Sequence, residues 1–345
     1  MATMTDTTGT LMLAEAGEAS ARVADTLARN APTATALARH VAEVKPAAIV
    51  TCARGSSDHA ATFAKYVLET LVGIPVSSAA PSVASVYAAP LRAEGVLMIA
   101  ISQSGRSPDL LATIDRYRAA GAKVAVIVND EASPMATRAD WLFPIGAGPE
   151  RSVAATKSFI LSLAVIAEIA AVLGKDASLG EALDQLPAQL AAAFDLDWTP
   201  LTSTLADATN LFVLGRGYGL GIAQEAALKL KETCALHAEA FSSAEVRHGP
   251  MAIVGDGFPV IAFAGSGHDG DDVRAAMGDF AGRGARPLLA DASGADGTLP
   301  AIAAHPVVEP ILMIQGFYRA AEALARNRGL DPDSPPHLRK VTETR

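Results

Sequence analysis

Two stretches of the sequence decide the fold: IVTCARGSSDHAATFAKYVLE, which begins at residue 49, and LFVLGRGYGLGIAQEAALKLKE, which begins at residue 211. Each stretch is typical of a short apolar strand, a glycine-containing turn and a helix. The glycines of the two turns, Gly55 and Gly217, are 162 positions apart. The same supersecondary unit is therefore predicted twice in one chain.

The next strands repeat at the same offset, since MIAISQSG from Met98 aligns with VIAFAGSG from Val260. A repeat of this length indicates a duplicated domain rather than a solenoid. Strands that alternate with amphipathic helices indicate βαβ units around a parallel sheet. The predicted fold class is α/β, with two doubly wound parallel-sheet domains related by internal duplication.

The predicted domains follow from this repeat. They are an N-terminal helical segment over residues 1–29 with its helix over 11–28, a first domain over 30–185, a joint at Asp195–Thr202, a second domain over 195–330, and a C-terminal tail over 331–345.

Composition excludes several classes of function. Half of the residues are hydrophobic and 19% are charged, which suits a chain with large cores. The net charge of −9 disfavours a nucleic-acid partner. Cys52 and Cys234 are far apart, so no disulfide framework and no structural zinc site are expected. No other metal site and no cofactor are predicted. The apolar stretch Ser158–Leu173 contains Glu168 and is typical of a buried helix rather than a membrane span. Without a recognisable secretory signal, a cytoplasmic protein without a membrane partner is predicted.

The first candidate site follows the apolar strand Val96–Ile101. Ser107 is a suitable N-cap, Pro108 suits the first helical position, and Gly105 permits a tight turn. A helix N-terminus with free amides and hydroxyls is a natural phosphate site, although Ser/Gly runs are also common in loops without a function. The equivalent loop of the second half, residues 264–268, has lost most of its hydroxyls, so only one half is expected to bind phosphate. The candidate ligands from this loop and from the parallel loop upstream are Ser56, Ser57, Ser102, Gln103, Ser104 and Ser107.

The second candidate site lies on a predicted helix. Glu225, Lys229 and Glu232 stand at i, i+4 and i+7 and therefore share one helix face. This spacing alone fits a solvent-exposed ladder of ion pairs equally well. The apolar residues around them favour a buried helix, and the His248-Gly249-Pro250 turn that follows could present an imidazole.

These segments resemble the SIS (sugar isomerase) domain family. The resemblance rests on ARGSS at 53–57, SQSGRSPDL at 102–110, RSVAATKSF at 151–159, and the ALKLKE, HAEA and HGP runs within 224–250. It covers nearly the whole chain from about residue 12. It is strongest to the isomerase half of glucosamine-6-phosphate synthase and to the stand-alone SIS-type glucosamine-6-phosphate deaminases.

The resemblance implies a catalytic role for several residues. Glu232 would be the base that moves a proton between C1 and C2, and Lys229 would polarise the oxygens or nitrogen on those carbons. His248 would open the sugar ring in the site of a neighbouring subunit, which implies a homodimer with shared active sites. A carboxylate suits abstraction of a proton beside a carbonyl or imine, and an imidazole titrates near neutral pH.

The resemblance also extends to the tail. Composition alone predicts a frayed C-terminus, but Lys340 aligns with a family lysine that forms a Schiff base with the open-chain ketose. The tail is therefore expected to close over the site. Val153 and Glu225 are expected to bind substrate. His237 is interpreted more simply as a histidine of a helical core or an interface.

The expected activity is deamination of glucosamine 6-phosphate to fructose 6-phosphate and ammonia. The VAATK and KVT sequences, Arg106 in the serine loop and the absence of a cysteine before Cys52 distinguish the chain from synthases that release ammonia from glutamine. The alternatives are a synthase-like isomerase without a glutaminase, another sugar-phosphate deaminase or deglycase, and a non-catalytic sugar-phosphate sensor. A nicotinamide-binding motif is disfavoured because Leu220 stands where its third glycine is needed.

Overall fold

The computed structural model describes residues 9–294 and 297–340. The first half contains α1 (Leu11–Gly17), α2 (Ala19–Val44), β1 (Ala48–Cys52), α3 (Ser56–Val72), β2 (Val76–Ser78), α4 (Pro81–Ser85), β3 (Val96–Ser102), α5 (Pro108–Ala119), β4 (Lys123–Val128), β5 (Trp141–Pro144), α6 (Lys157–Gly174) and α7 (Ala177–Phe194). The second half contains α8 (Thr199–Leu205), β6 (Asn210–Gly215), α9 (Gly219–Cys234), β7 (His237–Ser242), β8 (Pro259–Ala264), α10 (His268–Ala281), β9 (Arg286–Asp291) and α11 (Glu309–Asn327).

The strands form two parallel sheets with matching strand orders. The first sheet has the order β2-β1-β3-β4-β5 and the second has the order β7-β6-β8-β9. In each sheet the first strand of the repeat pairs with the two strands that follow it in sequence. The predicted fold class is confirmed, and the first sheet carries one additional strand.

The two halves share a core. One cluster of buried apolar side chains includes Phe63 on α3 and Ile222 on α9. α3 packs against both α6 and α9, and α9 in turn packs against α11. α3 therefore contacts the second half of the chain through α9. The first turn of α3 lies at the carboxyl end of the first sheet.

The N-terminal helical region differs from the prediction of one helix over residues 11–28. α1 ends at Gly17, and α2 begins at Ala19 and continues to Val44. Pro32 lies inside α2 without ending it, because the buried positions Ala34, Leu37 and Val41 continue the apolar face against the protein. α2 runs without interruption across the predicted boundary between residues 29 and 30.

The predicted joint overlaps the first residues of α8, and the apolar stretch forms a helix as the sequence indicates. α7 ends at Phe194 and α8 begins at Thr199, so the predicted joint includes the connection between them. α6 is the one helix within the described residues that is long and apolar enough to cross a membrane, and 83% of its apolar window is buried inside the protein. Such a helix is typical of a protein core.

Two further observations concern residues singled out in the sequence. His237 is exposed and begins β7, so its interpretation as a helical core histidine is wrong, whereas the interface alternative stays a prediction. The helix ends earlier because Ala235 adopts a left-handed conformation at its C-cap. Cys52 and Cys234 are free and buried, and burial raises the pKa of Cys52 to about 12 and that of Cys234 to about 11.

Candidate functional site

A polar cavity of about 350 Å³ lies at the carboxyl ends of β1 and β3. These neighbouring strands connect to opposite sides of the first sheet, and such a switch point is where open α/β sheets bind ligands. The N-termini of α3 and α5 both meet the cavity. The dipoles of two helices that both begin here make this end of the cavity attractive to an anion.

The polar cavity is lined by residues from five segments of the chain. Its lining residues are Arg54, Gly55, Ser56, Ser57, Ser102, Gln103, Ser104, Ser107, Leu110, Val153, Ala155, Glu232, Leu338, Arg339 and Lys340. The structure thus brings together all six predicted phosphate ligands, Val153, Glu232 and Lys340. Their individual roles remain predictions.

The loop after β3 is shaped to present its hydroxyls. Gly105 has a φ of 63°, and a Cβ there would lie 2.2 Å from the Oγ of Ser133, so only glycine fits this turn. The amide of Gly105 donates a hydrogen bond to the Oγ of Ser102 (3.0 Å), which leaves the Ser102 hydroxyl hydrogen free to donate elsewhere. Ser107 occupies the N-cap position, but its hydroxyl does not bond to the helix backbone and remains available to the cavity.

Two arginines near the loop differ in position. Arg54 lines the cavity, and its guanidinium lies 2.8 Å from the buried carboxylate of Asp109. Arg106 is absent from the lining and instead pairs with Asp130 at 2.7 Å. Of these two arginines, only Arg54 in the first βα loop contributes to the cavity wall, where the tail adds Arg339 and Lys340.

Glu232 is the point at which the second half reaches the cavity. Its side chain is 19% exposed and contacts the ammonium group of Lys229, which is 1% exposed. Glu232 also lines a second, apolar cavity of about 440 Å³, together with Leu228, Lys231, Thr233, Ala235, Leu330, Asp331, Pro335, Pro336 and Leu338. Glu232 therefore stands between a polar and an apolar space.

Lys229 and Glu225 lie behind Glu232 rather than in the polar cavity. The side chain of Glu225 is fully buried, and its carboxylate lies 3.5 Å from the Lys229 ammonium. Burial opposes the charge on Lys229, but Glu225 and Glu232 outweigh it and raise the pKa of Lys229. The shared helix face is thus correct, but Glu225 does not occupy a place where it would touch a ligand of the polar cavity.

The tail closes one side of the polar cavity. The Nζ of Lys340 donates to the Ser152 carbonyl (2.7 Å) and lies 3.3 Å from the carboxylate of Glu150, which is fully buried. Burial alone would raise the pKa of Glu150, but Lys340 and the hydrogen bonds from Ser158 and Thr156 hold it below its usual range. A buried carboxylate therefore binds the lysine that the sequence singles out.

The tail is also held upstream of Lys340. The carboxylate of Asp333 accepts hydrogen bonds from the amides of Leu11 and Met12, both at 2.7 Å. The carbonyl of Asp333 accepts from the amide of Val153. The tail is therefore held against the protein by hydrogen bonds at Asp333 and Lys340. Residues 341–345 of the predicted tail lie outside the described residues.

His248 lies away from the polar cavity of its own chain. It is exposed and ends a short 3₁₀ helix over Glu245–His248, after β7. It appears in the lining of neither cavity that Glu232 shares.

Sequence reasoning missed three residues that support the site. His59 and Tyr318 contact Glu225 from α3 and α11, and Glu150 contacts Lys340. Each comes from an element distant in sequence from its partner. The only local signal is the position of Glu150 and His59 beside motifs already recognised, at RSVAATKSF and ARGSS.

Comparison with known proteins places this geometry in a family. The SIS domain matches residues 44–171 and 204–296. The glutamine–fructose-6-phosphate aminotransferase [isomerizing] of Zymomonas mobilis is 35% identical over 321 residues, which cover 87% of this chain and 52% of that protein. The chain thus spans about half the length of this relative.

Solved structures agree with the match. A Silicibacter pomeroyi protein provisionally described as a phosphosugar isomerase has a TM-score of 0.88 and 40% identity, covering 94% of this chain and 100% of that one. The C-terminal domain of glucosamine-fructose-6-phosphate aminotransferase from Francisella tularensis has a TM-score of 0.85 and 26% identity, covering 96% and 100%. The chain belongs to the SIS domain family.

Proposed function

We propose that the chain is an SIS-type sugar-phosphate isomerase that converts glucosamine 6-phosphate and water to fructose 6-phosphate and ammonia. The observation that carries this proposal is a single cavity with hydroxyls and two helix N-termini at one part of its wall and the Glu232 carboxylate at another. The first set suits a phosphate, and the carboxylate suits proton transfer at a carbon beside a carbonyl. The enzymes named among the relatives support the same class of chemistry.

The proposed reaction uses Glu232 as a proton shuttle. In the open-chain amino sugar, Glu232 removes the proton from C2, the electron pair forms a C1–C2 double bond, and the aldehyde oxygen takes a proton from water to become an enol hydroxyl. Return of the first proton to C1 leaves that hydroxyl on C1 and gives a protonated imine at C2, which releases a proton to the solvent. Water then adds to C2 and ammonia leaves, which yields fructose 6-phosphate.

Lys229 and Lys340 have separate parts in this proposal. Lys229 is buried against Glu232 and orients that side chain through their direct contact. Lys340 lines the cavity, where its amine could replace ammonia at C2 by forming a Schiff base that water later hydrolyses. The form of Lys340 that attacks C2 is the neutral amine, because only that form has a free electron pair on Nζ.

The direct test is incubation of the protein with glucosamine 6-phosphate, followed by measurement of ammonia and fructose 6-phosphate. Equimolar appearance of both products is expected. Tight binding of the sugar phosphate without turnover would contradict the proposal and would favour the non-catalytic sensor.

We also propose that the active form is a homodimer in which His248 opens the sugar ring in the neighbouring subunit's site. Its support is the exposed position of His248 outside the polar cavity of its own chain, together with the HGP turn shared with the family. Mixed dimers of His248→Ala and Glu232→Ala proteins contain one site with both residues intact. Mixing the two inactive proteins should therefore restore part of the activity. Absence of restored activity, with subunit exchange verified by mass spectrometry, would contradict the shared site.

The apolar cavity favours a second candidate function. A sugar whose reacting carbons lie at Glu232 would place a substituent on its nitrogen beside Leu228, Leu330 and Pro335. A deglycase for N-substituted fructosamine 6-phosphates would use such a space. Higher kcat/KM for an N-alkyl fructosamine 6-phosphate than for glucosamine 6-phosphate would support this candidate, and the reverse order would support deamination.

A further inference from the structure

We propose that His59 is a positioning residue that fixes the proton-transfer base through Glu225 and Lys229. This inference rests on the proposed function and adds to it a residue in the first half of the chain. The support is a continuous series of contacts from α3 to Glu232. His59 itself is absent from the lining of both cavities that Glu232 shares.

The series begins with a close approach of two helices. A Cβ at Gly221 on α9 would lie 2.6 Å from the carbonyl oxygen of His59 and 3.0 Å from the amide nitrogen of Phe63 on α3. Only glycine allows the two backbones to come this near. Glu225 lies one helical turn after Gly221, so this contact brings the imidazole and the carboxylate together.

Glu225 is held on both oxygens. Its Oε2 lies 3.0 Å from the Nδ1 of His59, and its Oε1 accepts a hydrogen bond from the hydroxyl of Tyr318 at 3.2 Å. We assign Nδ1 of the imidazole as the donor of this contact and the Glu225 oxygen as its acceptor. With both oxygens fixed, the buried carboxylate has one orientation toward Lys229.

Lys229 transmits this orientation to the base. Its ammonium group lies between Glu225 and Glu232, and its side chain is almost completely buried. Without a fixed Glu225 the ammonium could move toward that carboxylate and leave Glu232 less well oriented. A misplaced base slows proton transfer even when the substrate is bound correctly.

His59 also connects the two ends of the site. It lies three residues after Ser56, in the first turn of the helix whose opening serines line the polar cavity. One rigid helix therefore carries both the hydroxyls proposed to bind phosphate and the donor that fixes Glu225. The distance between bound phosphate and base is thereby set by α3.

The test compares His59→Phe, which removes the donor, with His59→Asn, whose amide can donate close to the position of Nδ1. His59→Phe should lower kcat by about tenfold to a hundredfold, as expected for the loss of one charge-assisted hydrogen bond. KM and the Kd for fructose 6-phosphate should change less than about twofold. His59→Asn should recover most of kcat.

A matched control is His40→Phe, since His40 packs on Trp141 and lines neither cavity; its kcat should equal that of the wild type. If His59→Phe does not fold, His59→Gln takes its place, because its longer side chain carries the amide past the Glu225 oxygen. The kcat of His59→Gln should be lower than that of His59→Asn.

Equal kcat for the donor-lacking and donor-retaining variants, or an unchanged kcat in folded His59→Phe, would overturn the proposal. An inactive wild-type protein would instead overturn the proposed function. The two failures are therefore distinguishable.

Discussion

The loop after β3 and its duplicate after β8 have equivalent places in their sheets but contact different partners. In the first half, Ser104 and Ser107 face the polar cavity. In the second half, the amide of Ser266 donates to the buried carboxylate of Glu309 (2.8 Å). The second loop thus binds an anion of its own chain at the place where the first loop is open to an external one.

The scaffold around the two loops is otherwise retained. Arg54 pairs with Asp109 at 2.8 Å, and its duplicate Arg216 pairs with Asp272 at 2.9 Å. Both halves therefore retain an arginine, after β1 or β6, that pairs with an aspartate on α5 or α10. The halves differ in the hydroxyls of the loop after β3 or β8 and in the buried carboxylate of Glu309, which, among the described residues, only the second half has at this place. From this comparison we expect phosphate to bind at the first loop and not at the second, although the two loops have equivalent places in their sheets.

The largest expected effect separates proton transfer in the second half from phosphate binding in the first. Glu232→Gln preserves the shape of the side chain and removes the base. Loss of a general base costs about 10²–10⁴ in rate, so kcat for ammonia release should fall by that factor. The Kd for fructose 6-phosphate, measured by calorimetry, should stay near the wild-type value. A large loss of affinity would place Glu232 among the binding residues instead.

A smaller effect is expected from the paired serines of the two loops. Ser104→Ala removes a hydroxyl from the polar cavity and should weaken binding of fructose 6-phosphate about tenfold, since one bond to a charged group contributes roughly 1.5–3 kcal/mol. Ser266→Ala in the second loop is the matched control and should leave the Kd unchanged. Similar losses in both variants would refute the division of labour between the loops.

Much of this asymmetry could be predicted from the sequence, because it is local. A strand, Gly105 and three serines before a helix predict a phosphate loop from neighbouring residues alone. The helix face of Glu225, Lys229 and Glu232 also follows from periodicity. Periodicity could not show that Glu225 is fully buried, since its cover comes from α3 and α11, which are distant in sequence. The contact between Glu150 and Lys340 could not be predicted either, because the two residues are far apart in sequence.

The smallest expected effect concerns buried carboxylates. Glu309 has amide donors on both oxygens, whereas within the described ranges the Oε2 of the buried Glu168 on α6 has no hydrogen-bond partner. Burial raises the pKa of Glu168 to about 8. The folded protein therefore retains a proton that the unfolded chain releases, and the free energy of unfolding falls as pH rises from the usual glutamate range toward 8.

Glu168→Gln cannot ionise and should remove this pH-dependent loss. The variant should have a higher Tm than the wild type at pH 8, and the difference should be much smaller at pH 5. Thermal unfolding at the two pH values measures both differences. A Tm difference that is the same at pH 5 and pH 8 would show that Glu168 does not titrate in this range.

The most direct test of the central claim is exchange of the C1 protons of fructose 6-phosphate with deuterated water, followed by NMR with and without added ammonia. The account predicts that the wild-type protein exchanges one C1 proton and that Glu232→Gln exchanges it far more slowly. Exchange that requires ammonia would identify the imine as the species on which Glu232 acts. No exchange by the wild type under either condition, or equal exchange by the Gln variant, would contradict the assignment of Glu232 as the C1–C2 base.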